Sequence, residues 1–259
     1  MVTMPGAAMS TRLKTLAAIV VKAGAVVMRH YASGVDVRHK QDRSPVTDAD
    51  EEAERLILAE LAAQFPGVPV VAEEEAAAGR IAAVEGHFFL VDPLDGTREF
   101  LNRNGEFTVN LAEVVDGLPV AGVVYAPAVG RLFAGDADGA FEMTPDLDQA
   151  HAIAARPVPQ KGLVVVASRS HSDQATAEFL KGLDVKQFRS AGSSLKFCLV
   201  AAGEADIYPR TGRTMEWDTA AGHAVLAAAG GSVTRWDGSP LTYGKPGFEN
   251  PAFVAKGRG

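Results

Sequence analysis

Cysteine is nearly absent: Cys198 stands alone among 259 residues, which excludes an internal disulfide framework and fits a reducing compartment. On a helix, that residue reads as a small buried packing group rather than a reactive thiol. No apolar run approaches the roughly 20 residues of a membrane span. The patch Leu16 to Val21 is interrupted by Lys22, and the apolar residues at Leu13, Leu16, Ala17, Val20, Val27 and Tyr31 mark a helix face, not a secretory signal core. Basic residues are outnumbered, 25 Lys and Arg against 32 Asp and Glu for a formal net charge of −7. That balance argues against a nucleic-acid-coating protein, while leaving room for a small anionic ligand held through a metal. Internal repeats and low-complexity blocks are missing too. The expectation is a soluble cytoplasmic protein, monomer or homodimer, with peripheral inner-membrane association as the alternative.

What is present is a chain of 47% hydrophobic and 22% charged residues, enough for one large domain or two closely joined lobes. Its centre is the stretch L-V-D-P-L-D-G-T-R-E-F, Leu90 to Phe100. Phe88 to Val91 reads as a buried strand that Pro93 should end, so that Asp92 and Asp95 emerge together at its carboxyl end. Such ends face ligand crevices in α/β sheets. Two carboxylates that close do not both stay ionised at neutral pH without a cation, and an all-oxygen ligand set suits Mg²⁺ or Mn²⁺. Gly96 and Thr97 add backbone NH groups and a hydroxyl of the kind a phosphate requires. An ordinary acidic turn has the same spacing.

Upstream, Ser10 can cap a helix ending near Ser33 and Gly34, and P-V-T-D-A-D leads into a second helix capped by Thr47 or Asp48. Capping accounts for one or two of these residues but not for Asp50 as well. Val68 to Ala72 is a strand candidate running into Glu73, Glu74 and Glu75, which are either a solvated acidic loop or a further ligand source. From Phe107 the pattern turns β-rich, with a hairpin about Asp116-Gly117 and short strands at Arg131 to Ala134 and Ala140 to Phe141. A polar, Ala-rich shift near Pro145 to Arg156 marks the expected division into lobes 1–148 and 149–259. The second lobe alternates strands and helices, beginning at Leu163 to Ser168. Gly192, Ser193 and Ser194 lead into a helix carrying Lys196, which forms either an anion site or an ordinary capped start. Asp218 stands where another helix is expected to begin, so an N-cap explains it, and His223 reads as a packing residue.

The ordered set P-V-T-D-A-D, A-E-E-E, D-P-L-D-G-T and W-D-T-A-A-G resembles the inositol monophosphatase superfamily of metal-dependent, lithium-sensitive phosphatases. Within it, N-R-N-G-E-F-T-V-N, V-V-Y-A-P, S-R-S-H, G-S-S-L-K-F-C and Y-P-R look like the bacterial 3'(2'),5'-bisphosphate nucleotidase branch. That branch hydrolyses adenosine 3',5'-bisphosphate, a by-product of sulfate assimilation, to AMP and phosphate. The resemblance implies an α/β fold layered as an α/β/α/β/α sandwich. It further implies that Glu73, Asp92, Asp95 and Asp218 hold two or three Mg²⁺ ions, replaceable by Mn²⁺, with the Leu94 carbonyl as an added ligand. Asp50 and Thr97 would activate the attacking water, and the Gly96 and Thr97 NH groups would hold the scissile phosphate. Glu74 would stand behind these ligands. Ala72 departs from the Gly or Ser of many relatives, which touches only the turn before Glu73.

Substrate choice is a separate matter. A nucleoside bisphosphate needs a second anion site, for which Ser193, Ser194, Lys196 and Arg210 are the candidates, and a platform for its base. By resemblance His171 would sit near the adenine and Gly192 would permit its close approach. An inositol or sugar phosphatase is the alternative enzyme. A sensor that binds without turnover has no use for Asp50 and Thr97 beside a metal.

Overall fold

The structure is a computed structural model that describes residues 9–34, 37–39, 45–167 and 174–259. Helix α1 (Thr11–Ser33) starts where Ser10 Oγ accepts from Leu13 N at 3.0 Å, and it buries Leu13, Leu16, Ala17, Val20 and Val27. Strands β1 (Val37–His39) and β2 (Pro45–Thr47) pair with each other and lead into α2 (Asp48–Gln64). Then follow β3 (Val70–Ala72), α3 (Glu73–Ala77), β4 (His87–Asp95) and α4 (Thr97–Leu101). Strands β5 (Thr108–Val115), β6 (Leu118–Ala126), β7 (Arg131–Asp136), β8 (Gly139–Met143) and β9 (Ala150–Ile153) complete the first run. β3 to β9 form a seven-stranded sheet in chain order. It is antiparallel except for the parallel edge pair β3 and β4. Asp116 and Gly117 turn the β5–β6 hairpin with φ of 49° and 77°, both positive as a two-residue hairpin turn demands.

The chain continues through β10 (Leu163–Ala167), α5 (Gln174–Lys181), β11 (Val185–Ser190), α6 (Leu195–Ala201), β12 (Ile207–Arg210) and β13 (Thr214–Met215). It ends with α7 (Ala220–Ala228), β14 (Ser232–Arg235), β15 (Glu249–Asn250) and β16 (Phe253–Lys256). A second sheet of five strands has the order β11-β10-β12-β16-β14. The layers follow from the two-residue period of the strands. In the large sheet Phe88, Leu90, Ala112, Val114 and Val124 join the core that holds α6 and α7. Their neighbours Phe89, Val91, Leu111 and Val123 join the core of α1 and α2. In the small sheet Val166, Tyr208 and Phe253 face α6 and α7, while Leu163, Val165, Ile207 and Val254 pack with Phe179 and Leu180 of α5. The result is the expected α/β/α/β/α order, with the central strands buried on both faces and reading as nearly continuous apolar runs, while the edge strands β9 and β11 stay largely exposed. Helix α7 lies flush on β6: a Cβ on Gly122 would stand 2.4 Å from Ala221 O and 2.8 Å from Ala224 Cβ.

Two local expectations are corrected. Pro93 does not end its strand; β4 runs on to Asp95 across an irregularity, with Asp92 opposite Asn110 and Asp95 opposite Thr108. An extra residue in the strand accommodates a proline without a ladder NH and turns the carboxyl end toward the layer of α6 and α7. Nor does Asp218 cap α7, whose N-cap residue is Thr219. Asp218 Oδ2 instead accepts from Met215 N at 2.8 Å, folding the preceding loop on itself.

His223 is a packing residue, as expected. It is buried in α7 with Nδ1 3.0 Å from Tyr243 OH, and burial pulls its pKa down to about 4. An unfolded histidine takes up a proton near pH 6.5, so between those values the unfolded chain binds a proton that the folded chain refuses. Stability contributed by neutral His223 is therefore present above about pH 6.5 and is lost as pH falls toward 4. Between pH 7 and pH 5 the expected loss is about 2 kcal/mol. Urea midpoints at the two pH values check this, with His223→Gln expected to remove that part of the difference.

Candidate active site

The site gathers where β4, α2, α3, α4, α6 and the loop before α7 meet. At the start of α2, Thr47 donates its NH and hydroxyl to Asp50 Oδ2 at 2.8 and 2.7 Å, while its Oγ1 accepts from Ala49 N at 3.2 Å. This capping box fixes one carboxylate oxygen. The other, Asp50 Oδ1, accepts from Thr97 Oγ1 at 3.4 Å, and that hydroxyl also lies 3.4 Å from Leu94 O. Asp50 thus caps its helix and reaches the D-P-L-D-G-T turn at once. Gly96 makes the turn possible: its φ is 92°, and a Cβ there would stand 2.3 Å from Ser193 Oγ.

Four acids, Glu73, Asp92, Asp95 and Asp218, lie near enough to feel one another's charge. Asp92 is buried and holds Leu94 N at 3.0 Å through Oδ1. Burial first, then the charges of Glu73, Asp95 and Asp218, push its carboxyl well above the usual range, and its side chain hydrogen-bonds that of Glu73. Asp95 is also raised, chiefly by burial, against the opposing pull of Lys196 and the Ser194 NH. Its Oδ2 accepts from Ser194 N at 2.7 Å. Asp218 is raised by burial and by the charges of Asp95 and Glu73. Carboxyl groups arranged to raise one another in this way call for a compensating cation. Among the described residues no three acidic, histidine or cysteine side chains already converge on one coordination point. Glu73, Asp95 and Asp218 border one cleft, and Asp92 is buried beside them, rather than forming a closed cage. Their oxygens are nonetheless the donor set of a hard divalent cation, and among the described residues lining the cleft there is neither sulfur nor imidazole.

Glu73 opens α3, and the Glu73-Glu74-Glu75 run is a short helix rather than a loop. Its start is held by Glu54 of α2, which accepts from Glu74 N at 2.7 Å and from Glu75 N at 2.9 Å. Burial pushes the Glu54 carboxyl up to about 7. The Asp218 loop is clamped by Glu216, which accepts from Gly244 N, Lys245 N and Lys245 Nζ at 2.7, 2.9 and 2.6 Å. Asn250 adds donations to Met215 O at 2.7 Å and Thr219 Oγ1 at 3.0 Å.

The cleft encloses about 270 Å³ and is lined by Glu73, Asp95, Gly96, Thr97 and Asp218 together with the cations Arg98, Lys196 and Arg210. Lys196 is buried, with Nζ donating to Ser193 O at 2.6 Å and standing 5.2 Å over the Tyr208 ring. Burial, against the charge of Asp95, leaves its pKa lowered to about 8. Among the described residues Arg210 Nη2 makes a long donation to Arg213 O at 3.4 Å, and its buried Nε has no hydrogen-bond partner. Ser193 lines the cleft, with φ of 51° and its Oγ 2.7 Å from Asp95 O and 2.9 Å from Glu106 O. Ser194 lies behind the cleft wall, its Oγ donating to Asp218 O at 2.5 Å. Gly192 packs on the Glu106 backbone, where a Cβ would stand 2.3 Å from Glu106 O. His171 lies outside the described residues. Cys198 is buried in α6 with its thiol pushed up by burial, which fits the packing role. Arg98, Phe197, Tyr208 and Thr214 also line the cleft. Of these, Phe197 and Tyr208 stand within the G-S-S-L-K-F-C and Y-P-R segments and Arg98 directly follows D-G-T, whereas Thr214 had no signal in the sequence.

A family model described as the inositol monophosphatase family matches residues 8–257. The chain is 46% identical over 235 residues to the 3'(2'),5'-bisphosphate nucleotidase CysQ of Escherichia coli strain K12, covering 89% of this chain and 94% of that one. The enzyme of the same name from Buchnera aphidicola is 40% identical over 243 residues, covering 90% of this chain and 89% of that one. Among solved structures, CysQ from Bacteroides thetaiotaomicron superposes with a TM-score of 0.79 at 36% identity, covering 96% of this chain and 98% of that one. The Thermotoga maritima IMPase gives the same TM-score, 0.79, at 27% identity over 95% of this chain and 92% of that one. Matched nearly from end to end, and layered like those solved structures, the chain belongs to the inositol monophosphatase family.

Proposed function

We propose that this protein is a Mg²⁺-dependent 3'(2'),5'-bisphosphate nucleotidase that releases phosphate from adenosine 3',5'-bisphosphate and leaves AMP. The observation that carries the reading is a single cleft joining two kinds of wall: the carboxylates Glu73, Asp95 and Asp218 with Thr97 hydrogen-bonded to Asp50, and the cations Lys196 and Arg210. A substrate with one phosphate to cleave and a second to anchor fits that division. Several curated relatives bear this activity in their names at 40 to 46% identity.

Glu73, Asp92, Asp95 and Asp218, with the Leu94 carbonyl, would hold two or three Mg²⁺ ions, or Mn²⁺ in their place. When bound, the metal supplies charge neutralisation of the phosphate and acidification of water. The protein's own part is positioning and proton transfer. Gly96 and Thr97 present backbone NH groups to the scissile phosphate. Thr97 Oγ1 takes a proton from the incoming water as it passes its own to Asp50 Oδ1, 3.4 Å away. Thr47 keeps Asp50 aimed by holding the other oxygen. Arg210 Nε and Lys196 Nζ anchor the second phosphate. Lithium inhibition and a cytoplasmic role in clearing the by-product of sulfate assimilation belong to the same reading.

Lys196→Ala and Arg210→Ala test the second anion site. Each is expected to raise KM for adenosine 3',5'-bisphosphate by roughly 10-fold or more, as loss of a charge-assisted hydrogen bond does. The weak release of phosphate from inositol 1-phosphate should change little. Equal losses on both substrates, or none on the bisphosphate, remove these residues from the anion site and favour an inositol or sugar phosphatase.

A further inference from the structure

We infer that Asn110 is a positioning residue that sets the spacing between Asp95 and Asp218, which come from opposite halves of the chain. The inference rests on the metal-dependent reading above. Asn110 lies in β5 at a position between inward-facing Thr108 and Ala112, directly opposite Asp92, and is fully buried. An amide in that place is costly unless it is hydrogen-bonded. Its Nδ2 lies 3.0 Å from Ser194 Oγ and 3.4 Å from Asp95 Oδ2. An ionised carboxylate only accepts, so the amide is oriented with its NH₂ toward Asp95 and its oxygen away.

Ser194 closes the circuit. Its NH donates to Asp95 Oδ2 at 2.7 Å and its Oγ donates to Asp218 O at 2.5 Å, while the same Oγ accepts from Asn110. One amide and one hydroxyl thereby connect the β4 turn, the middle of β5, the start of α6 and the loop before α7. Asn110 Oδ1 has no hydrogen-bond partner among the described residues. An apolar side chain of similar shape would avoid that cost, so packing does not explain the asparagine, and its donor side does. With the link intact, Asp95 and Asp218 are held in fixed relation before a cation arrives. Without it Asp95 can turn on its strand and Asp218 can drift with its loop. Removing an outer hydrogen-bond partner of a metal ligand lowers affinity by about 10- to 100-fold.

The experiment titrates Mg²⁺ alone into the full chain by calorimetry and records Tm in EDTA, for the unsubstituted protein, Asn110→Ala, Ser194→Ala and the double variant. Each single variant is expected to bind Mg²⁺ about 10-fold more weakly. The double should bind about as weakly as the poorer single, because both cut one link and their effects do not add. The Mg²⁺ concentration for half-maximal phosphate release should rise in step. An Asn110→Ala protein with lowered Tm but unchanged Mg²⁺ affinity overturns the inference and makes the residue purely structural. Should Asn110→Ala fail to fold, Ser194→Ala, which deletes one oxygen and keeps the NH to Asp95, decides by the same criterion. An unsubstituted protein that takes up no Mg²⁺ overturns the metal-dependent reading itself, and this inference with it.

Discussion

Asp92→Asn is expected to eliminate measurable phosphate release and to uncouple the protein's stability from Mg²⁺. Asparagine keeps the shape of aspartate but offers a neutral oxygen to a hard cation. The several kcal/mol of transition-state stabilisation a metal supplies correspond to roughly 10³-fold or more in rate. The fold should not suffer. Asp92 is buried and its carboxyl is held up first by burial and then by the charges of Glu73, Asp95 and Asp218, so the substitution removes a buried acid from a crowded group. Its Oδ1 contact with Leu94 N can be kept by the amide oxygen. In EDTA the variant should melt at or above the temperature of the unsubstituted protein. With Mg²⁺ added, the unsubstituted protein should gain stability by mass action and the variant should not. Thermal melts with and without Mg²⁺, beside a phosphate-release assay, measure both halves. A variant still stabilised by Mg²⁺ would remove Asp92 from the ligand set.

Asp50→Asn should separate catalysis from metal binding. Thr47 N donates to Asp50 Oδ2, so an asparagine there keeps its oxygen on the helix cap and turns its NH₂ toward Thr97. A donor then stands where Thr97 Oγ1 needs an acceptor for its proton. Phosphate release should fall by about 10² to 10⁴-fold, the usual worth of a positioned base, while Mg²⁺ affinity stays close to normal. The contrast with Asp92→Asn is the informative part. Retained turnover in Asp50→Asn would take the proton-accepting role from this residue.

How much of this could be read beforehand depended on how local each signal was. The pair Asp92 and Asp95 is three residues apart in sequence and directly follows Phe88 to Val91, the run that announces the strand, and the structure keeps both in β4. The layered order was implied by the family resemblance, while the residues themselves marked the short apolar strands and the apolar helix faces. Pro93 misled because a bulge is a property of two paired strands, visible only when Asp92 is seen opposite Asn110 and Asp95 opposite Thr108. Asp218 looked like a cap because the loop that folds back on Met215 N leaves no trace in spacing. Thr47, Glu54, Asn110, Glu216 and Asn250 act through partners 3 to 84 residues away. Asn110 stood within the N-R-N-G-E-F-T-V-N motif as a lone amide in an apolar strand. That oddity was the available signal, and its partners required the fold.

The most direct measurement is phosphate release by the full chain from adenosine 3',5'-bisphosphate and from inositol 1-phosphate, at matched concentration, with Mg²⁺ and then with excess EDTA. The account predicts strong preference for the bisphosphate and loss of both activities in EDTA. Preference for inositol 1-phosphate, or release that persists without a divalent cation, would contradict it.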